Sequence, residues 1–165
     1  MGKEEKTNVS RILERAGIPF RQLTYDCGEF EDGIHAAEKA GTPPELTYKT
    51  LVLTGKSGKH YVCVIPIAEE INLKAAAKAV GEKSMEMLPL KLLTETTGYI
   101  RGGCSPVGMK KQFPTVIDSA AEELPDFYVS GGRVGVSVSV NPKMLAGVVH
   151  GIFAPIAEKQ EREKA

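Results

Sequence analysis

The sequence has few of the features that mark specialised chemistry. It contains no tryptophan and only ten phenylalanine and tyrosine residues together, so a surface that stacks single-stranded bases is not expected. Its three cysteines lie 36 and 41 residues apart without a C-x-x-C motif, which excludes a recognisable disulfide framework or zinc site. No run of about 18 apolar residues occurs, and the first residues, MGKEEKTN, do not resemble a signal peptide. A cytoplasmic protein that does not bind membranes is therefore predicted.

An excess of charge of either sign is also absent, because 21 Lys and Arg balance 21 Asp and Glu. This balance excludes a protein that holds nucleic acid by bulk attraction alone, and DNA binding is not expected. The distribution is uneven, since residues 72–114 carry seven basic and three acidic side chains. These basic residues either solvate a surface or contact the backbone of an RNA: Lys74, Lys78, Lys83, Lys91, Arg101, Lys110 and Lys111.

Apolar periodicity and turn residues predict one interleaved α/β domain over residues 1–157, followed by a charged tail at 158–165. Helices are predicted at 9–16, 33–40, 73–80, 90–96 and 142–150. Strands are predicted at 20–26, 48–53, 60–65, 85–88, 115–118, 127–130 and 133–140. Glycine-rich turns at 55–58 and 131–132 indicate two hairpins, which favours a mixed sheet over a doubly wound parallel one.

Standard catalytic motifs are missing. The segment Gly103–Gly108 has the first spacing of a phosphate-binding loop but continues with Met109 and Lys110, where Lys and then Ser or Thr are required. Val107 stands where a nucleophile elbow needs glycine. The three histidines have no paired spacing, and no H-E-x-x-H or G-x-G-x-x-G occurs.

Two features could carry chemistry without those motifs. Lys49 precedes the apolar run 50–53, where it either extends to water or places a cation in a cleft. The segment 101–108 holds three glycines and a proline, which either make a tight connection or let backbone N–H groups bind an anion. Ser130 precedes a hairpin turn and could face an adjoining pocket. Cys104 has no nearby base, so a structural role is favoured over a reactive thiol.

Five segments, in this order, carry a family resemblance: KTNVSRILERAGIPF leading to TYD, YKTLVL, NLKAAAKAVGEKSMEML, TGYIRGGCSPVGMKK and YVSGGRVGVSV. Over about residues 6–150 the chain resembles the YbaK/EbsC family of free-standing aminoacyl-tRNA deacylases. These proteins are relatives of the editing domain of bacterial prolyl-tRNA synthetases. The resemblance implies a single α/β domain in which helices surround a mixed, partly barrel-like sheet.

The resemblance also implies an activity, the hydrolysis of mischarged Cys-tRNA(Pro), with Cys-tRNA(Cys) as a further substrate. The thiol of the substrate itself would attack the ester carbonyl and release the tRNA as a thiolactone forms, so no cofactor and no metal are implied. Proximity of this kind can supply roughly 7–11 kcal/mol of a barrier. The implied partners are tRNA(Pro) and prolyl-tRNA synthetase, and a monomer is expected.

By position, Lys49 matches the essential lysine of the family and is the expected catalytic residue. The substrate-binding residues that the resemblance implies are Tyr25, Gly102, Gly103 and Ser130. A half-buried strand aromatic is the alternative for Tyr25. Ser137 stands where some relatives have Asp, so it receives no acidic role, and Phe30 is the candidate for a pocket phenylalanine.

Two other functions fit the same residues. A deacylase of Ala-tRNA or Ser-tRNA would need an activated water, because neither amino acid carries a thiol. A non-catalytic module would bind tRNA or a synthetase in a salt-dependent way without turnover.

Overall fold

A computed structural model describes residues 6–24 and 42–159 of the chain. Within these residues, four α-helices are α1 (Asn8–Arg15), α2 (Leu73–Val80), α3 (Leu93–Thr97) and α4 (Pro142–Val149). The strands are β1 (Phe20–Thr24), β2 (Tyr48–Gly55), β3 (His60–Pro66), β4 (Glu69–Ile71), β5 (Met85–Met87), β6 (Thr115–Asp118), β7 (Phe127–Ser130), β8 (Val136–Val140), β9 (Ile152–Ala154) and β10 (Ala157–Lys159). Short 3-10 helices cover Pro44–Leu46, Leu90–Leu92 and Ser119–Ala121.

The predicted helix caps determine where the helices begin. Asn72 accepts a hydrogen bond from the Ala75 amide at the start of α2, and Asn141 accepts one from the Met144 amide at the start of α4. Gly81 ends α2 in the left-handed conformation, with φ of 79°. No helix in residues 6–24 and 42–159 is long and apolar enough to cross a membrane.

The strands form three sheets within the described chain. One has the order β5-β2-β3-β6-β9, one has the order β1-β8-β7, and β10 pairs with β4. The β3–β6 and β6–β9 pairs are parallel and the others are antiparallel, which confirms the predicted mixed α/β architecture. The partly barrel-like closure is not confirmed, since the five-stranded sheet ends at β5 and β9.

Two hydrophobic cores lie on opposite faces of the five-stranded sheet. Alternate residues of β3 belong to different cores: Val62 and Val64 pack in the larger core, whereas Cys63 and Ile65 pack in the smaller one. The three-stranded sheet and α1 cover the larger core, and α2 covers the smaller one through Ala76 and Ala77. Strand β2 alternates in the same way, because Val52 packs in the larger core and Leu53 packs in the smaller one.

Three short strands were not predicted, although β5, which also has three residues, was predicted at 85–88. The three are β4, β9 and β10. Strand β10 includes Glu158 and Lys159, so paired structure extends two residues into the segment predicted as a tail. The prediction for β8 also began too early, because Val134 and Gly135 lie in the turn before Val136. The predicted helix at 33–40 lies outside the described residues.

A buried carboxylate joins the end of β6 to the segment before β10. Oδ1 of Asp118 accepts hydrogen bonds from the Ile156 and Ala157 amides, each 2.9 Å long. Oδ2 accepts one of 3.1 Å from the Ala120 amide. The two bonds to Oδ1 hold Ile156, which is completely buried, in the smaller core.

Candidate functional site

Lys49 lies on the face of β2 that turns away from the larger core. Its neighbours Tyr48 and Val52 pack in the larger core, while Leu53 packs in the smaller one. Because successive strand side chains alternate, Lys49 shares the face of Leu53. In the β2–β3 ladder it is paired with Ile65 and is half-buried at the end of the smaller core.

Ser130 ends β7, a strand that contacts the start of β2 through an isolated bridge. A parallel bridge joins Thr47 to Tyr128, so two residues further along each strand lead to Lys49 and Ser130. Phe127 and Val129 pack in the larger core, which leaves Ser130 on the opposite face, as for Lys49. The bridge thus brings together the two strands that carry these predicted site residues, which are far apart in sequence.

Two opposing effects act on the Lys49 ammonium group. Burial lowers the pKa of Lys49 below its ordinary value of 10.5, because desolvation disfavours the charged form. The carboxylate of Glu70, in β4, raises that pKa and so partly offsets the effect. Sequence reasoning missed Glu70, since nothing in the pattern EEI indicates that this carboxylate acts on Lys49.

Gly102 and Gly103 form a tight turn in the loop before β6. The Gly103 amide donates to the Ile100 carbonyl at 3.0 Å, and Gly102 has φ of 86°. A positive φ at the third position is the geometry of a type II turn, which favours glycine there. The Gly103 amide is therefore already bonded, whereas Gly102 is exposed.

The loop 102–108 packs directly against the β7–β8 loop, residues 131–135. A Cβ atom added at Gly103 would lie 3.0 Å from the Val134 nitrogen and 3.1 Å from the Arg133 Cα. Ser130 stabilises the second loop, because its Oγ accepts a hydrogen bond of 3.1 Å from the Gly132 amide. The structure therefore brings Gly102, Gly103 and Ser130 into one region.

The remaining predicted residues are placed as follows. Tyr25 and Phe30 lie outside the described residues. Ser137 is paired with Ser130 across the β7–β8 ladder. Cys104 packs against the larger core, and burial raises the pKa of its thiol to about 12, as expected for a structural cysteine. No group of three or more metal-ligating side chains occurs within 6–24 and 42–159.

The predicted basic residues are all exposed, but their surroundings differ. Lys110 donates to the Glu95 carbonyl at 3.2 Å, and the Lys111 ammonium lies 6.0 Å from the Phe113 ring centroid. Arg101 lies two residues before Gly103, which contacts the backbone of Arg133. Arg133 is exposed as well and lies outside the basic segment 72–114.

Comparison with known proteins assigns this arrangement to a family. A sequence model described as the aminoacyl-tRNA editing domain matches residues 32–148. The chain belongs to the aminoacyl-tRNA editing domain family. EbsC of Enterococcus faecalis is 41% identical over 160 residues, which are 95% of this chain and 96% of EbsC. EbsC is provisionally named a Cys-tRNA(Pro)/Cys-tRNA(Cys) deacylase.

More distant relatives extend the comparison to a synthetase and to solved folds. A proline–tRNA ligase of Trichlorobacter lovleyi is 27% identical over 97 residues, which are 59% of this chain and 17% of the ligase. The crystal structure of hypothetical protein APE2540 has a TM-score of 0.84 at 23% identity and covers 92% of this chain and all of that protein. The crystal structure of a protein provisionally named a trans-editing enzyme for prolyl-tRNA synthetase has a TM-score of 0.78 at 22% identity and covers 93% of this chain and 99% of that protein. These likenesses show the fold of the editing family.

Proposed function

We propose that this chain deacylates Cys-tRNA(Pro) in trans, with Cys-tRNA(Cys) as a further substrate. The observation that carries the proposal is the half-buried Lys49 in β2, a strand whose start is bridged at Thr47 to Tyr128 of β7, the strand that leads to Ser130 and the loop 131–135. The 41% identity to EbsC over nearly the whole of both chains supports this choice of substrate.

In the proposed reaction, the cysteine thiol of the substrate is the nucleophile. Its sulfur attacks the carbonyl carbon of the same aminoacyl group, and the bond from that carbon to the ribose oxygen breaks. The thiol proton passes to the ribose oxygen, so free tRNA and a β-thiolactone are the products. Because sulfur and carbonyl belong to one molecule, the proximity effect of roughly 7–11 kcal/mol comes from the substrate, and the protein contributes by holding the conformer in which the two atoms meet.

Within this reaction, Lys49 polarises the ester or contacts the terminal nucleotide as a cation. The Gly102 N–H is the donor we assign to the developing oxyanion, because the Gly103 N–H is bonded to Ile100. Ser130 lines the pocket beside Lys49. Tyr25 is the remaining substrate-binding residue in this proposal and is assigned to the lining of the pocket.

The acceptor end of the tRNA is proposed to reach the site along Arg101 and Arg133. Both arginines are exposed and lie on loops that contact each other at Gly103. Because the whole chain has no net charge, we expect weak intrinsic affinity for tRNA. Prolyl-tRNA synthetase is the proposed partner that supplies selectivity for tRNA(Pro), and the deacylase is proposed to act as a monomer.

A deacylation panel tests the proposal. Purified protein is incubated with tRNA(Pro) charged with cysteine, serine or alanine, and loss of the aminoacyl ester is followed. Serine differs from cysteine by oxygen in place of sulfur, so it is a matched substrate control. We expect rapid loss of cysteine and little loss of serine or alanine.

Each alternative gives a different result in the same panel. Preference for alanine or serine would contradict the thiol-assisted reaction and favour an activated water. Salt-dependent tRNA binding without turnover of any substrate would favour a non-catalytic module. Tight, selective binding of tRNA(Pro) by the protein alone would contradict the proposed dependence on the synthetase.

A further inference from the structure

An aromatic residue between α3 and the loop 102–108 has no role in the proposed reaction. Tyr99 is half-buried against the larger core. Burial is the main effect that raises the pKa of its hydroxyl to about 12, and electrostatic repulsion from the neighbouring Cys104 is the second. The hydroxyl therefore keeps its proton at neutral pH. This hydroxyl donates a hydrogen bond to the Val107 carbonyl. The side chain is thus fixed to the loop 102–108.

The same side chain contacts the loop 131–135. A Cβ atom added at Gly132 would lie 3.5 Å from Cε1 of Tyr99 and 3.7 Å from its hydroxyl oxygen. A Cβ atom added at Gly108 would lie 2.8 Å from the same oxygen. The tyrosine hydroxyl therefore lies between two glycines that belong to two different loops.

Helix α1 packs against both of these glycines. A Cβ atom added at Gly132 would lie 3.1 Å from Cγ2 of Val9, which is completely buried. A Cβ atom added at Gly108 would lie 3.0 Å from the Asn8 amide nitrogen and 3.4 Å from Cδ1 of Ile12. Both glycines are thus packed against a helix anchored in the core, and Tyr99 fills the space between them.

We propose that Tyr99 is a positioning residue that holds the two loops together and thereby sets the separation between the Gly102 N–H and Ser130. This inference rests on the proposed deacylase function. Tyr99 acts through the loops and does not touch the substrate. A displacement of about 1 Å in a reacting group can lower a rate about 100-fold, so a single hydrogen bond in the support is enough to change turnover.

Tyr99→Phe is the test, because it removes only the hydroxyl and keeps the ring that packs against the core. We expect kcat for Cys-tRNA(Pro) to fall about tenfold while KM changes less than about twofold, since binding surfaces remain and only their spacing relaxes. Hydrogen exchange of the backbone amides is measured alongside. We expect faster exchange in both 102–108 and 131–135.

Tyr61→Phe is the matched control. Tyr61 also donates a hydrogen bond from its hydroxyl, in this case to Glu82 at the far end of β2, at 2.6 Å. We expect this variant to lose stability without a change in kcat or in the exchange of either glycine loop. Equal loss of kcat in the two variants would show a general stability effect and overturn the proposal.

Three further results would also overturn it: an unchanged kcat in Tyr99→Phe, a rise in KM alone, or faster exchange in only one loop. Failure of the proposed function would look different, because the unsubstituted protein would then deacylate nothing. In that case the exchange measurement still decides whether Tyr99 couples the loops.

Discussion

The pKa of Lys49 depends on two features of its surroundings, partial burial and the carboxylate of Glu70. Burial lowers its pKa and Glu70 raises it. A cationic Lys49 is present only below its pKa, so Lys49-dependent turnover is lost as the pH rises through a value below the ordinary 10.5. Removal of Glu70 takes away the stabilising charge and lowers that value further.

We therefore expect Glu70→Gln to move the alkaline fall in kcat to lower pH, with little change at neutral pH.

Lys49→Ala should lower kcat at neutral pH by about 100-fold or more, the usual cost of one transition-state donor. Both are measured in pH–rate profiles after subtraction of uncatalysed hydrolysis. Lys56→Ala, an exposed lysine just beyond the far end of β2, is the control and should behave as the unsubstituted protein. A Lys49→Ala variant with normal turnover would remove the assigned role.

Gly103 illustrates a different residue-scale constraint, the close approach of two backbones. In Gly103→Ala the new methyl group would lie 3.0–3.1 Å from the backbone of Arg133 and Val134, which cannot move aside as a side chain would. We expect the free energy of unfolding to fall by about 1–3 kcal/mol, measured by chemical denaturation, together with a loss of kcat.

Gly147→Ala is the matched substitution. Gly147 lies in α4 and has open space around it, so alanine should raise the free energy of unfolding by about 0.5–1 kcal/mol. If both alanine variants were equally stable, the contact between the two loops would not constrain position 103.

These residues show what sequence can and cannot predict about the site. Lys49, Gly102, Gly103 and Ser130 could be named because each lies in a recognisable motif. Their mutual arrangement could not, because it depends on a single bridge between Thr47 and Tyr128. Glu70 carries no motif at all, and its effect on Lys49 arises only when the chain reverses between β3 and β4.

At the scale of elements, the β2–β3 hairpin is held by a carboxylate from the end of α2. Glu82 accepts hydrogen bonds from the Ser57 amide at 3.1 Å, the Ser57 hydroxyl at 2.5 Å and the Tyr61 hydroxyl at 2.6 Å. The bonds from Ser57, then Tyr61, lower the pKa of Glu82 below its ordinary 4.5. Its stabilising effect is therefore present above the ordinary pKa and is lost as the pH falls through the lower folded-state value.

We expect Glu82→Gln to lower Tm at pH 7, and the difference from the unsubstituted protein to shrink in acid below about pH 4. Thermal unfolding across this range provides the measurement. A difference that stayed constant with pH would mean that the charge of Glu82 does not contribute.

Long elements were predicted from the sequence more reliably than short ones. Helix α2 could be located from Asn72 and Gly81, whose cap and left-handed conformation are set by local chemistry. Strands β4 and β10 could not, because they form by pairing with each other, at Ile71 and Ala157 across 86 positions of sequence. Such pairing is decided by the tertiary fold.

At the scale of the whole molecule, the net charge is zero. Attraction of tRNA phosphates must therefore come from a few basic side chains and not from the protein as a whole. If Arg101 and Arg133 each neutralise one phosphate, removing both should weaken binding and reduce the slope of log affinity against log salt by about two. We expect this for Arg101→Ala combined with Arg133→Ala, measured by titration of tRNA at several salt concentrations. Lys56→Ala should leave the slope unchanged, and an unchanged slope in the double variant would contradict the assigned path.

Burial of the two described cysteines has a consequence for a protein that handles reactive acyl groups. Cys63 and Cys104 both have pKa values raised to about 12 by burial, so only about one such thiol in 10⁵ is ionised at neutral pH. A β-thiolactone is a strained acylating agent that reacts with thiolates. At these two positions, therefore, neither thiol is a ready target for the β-thiolactone of the proposed reaction.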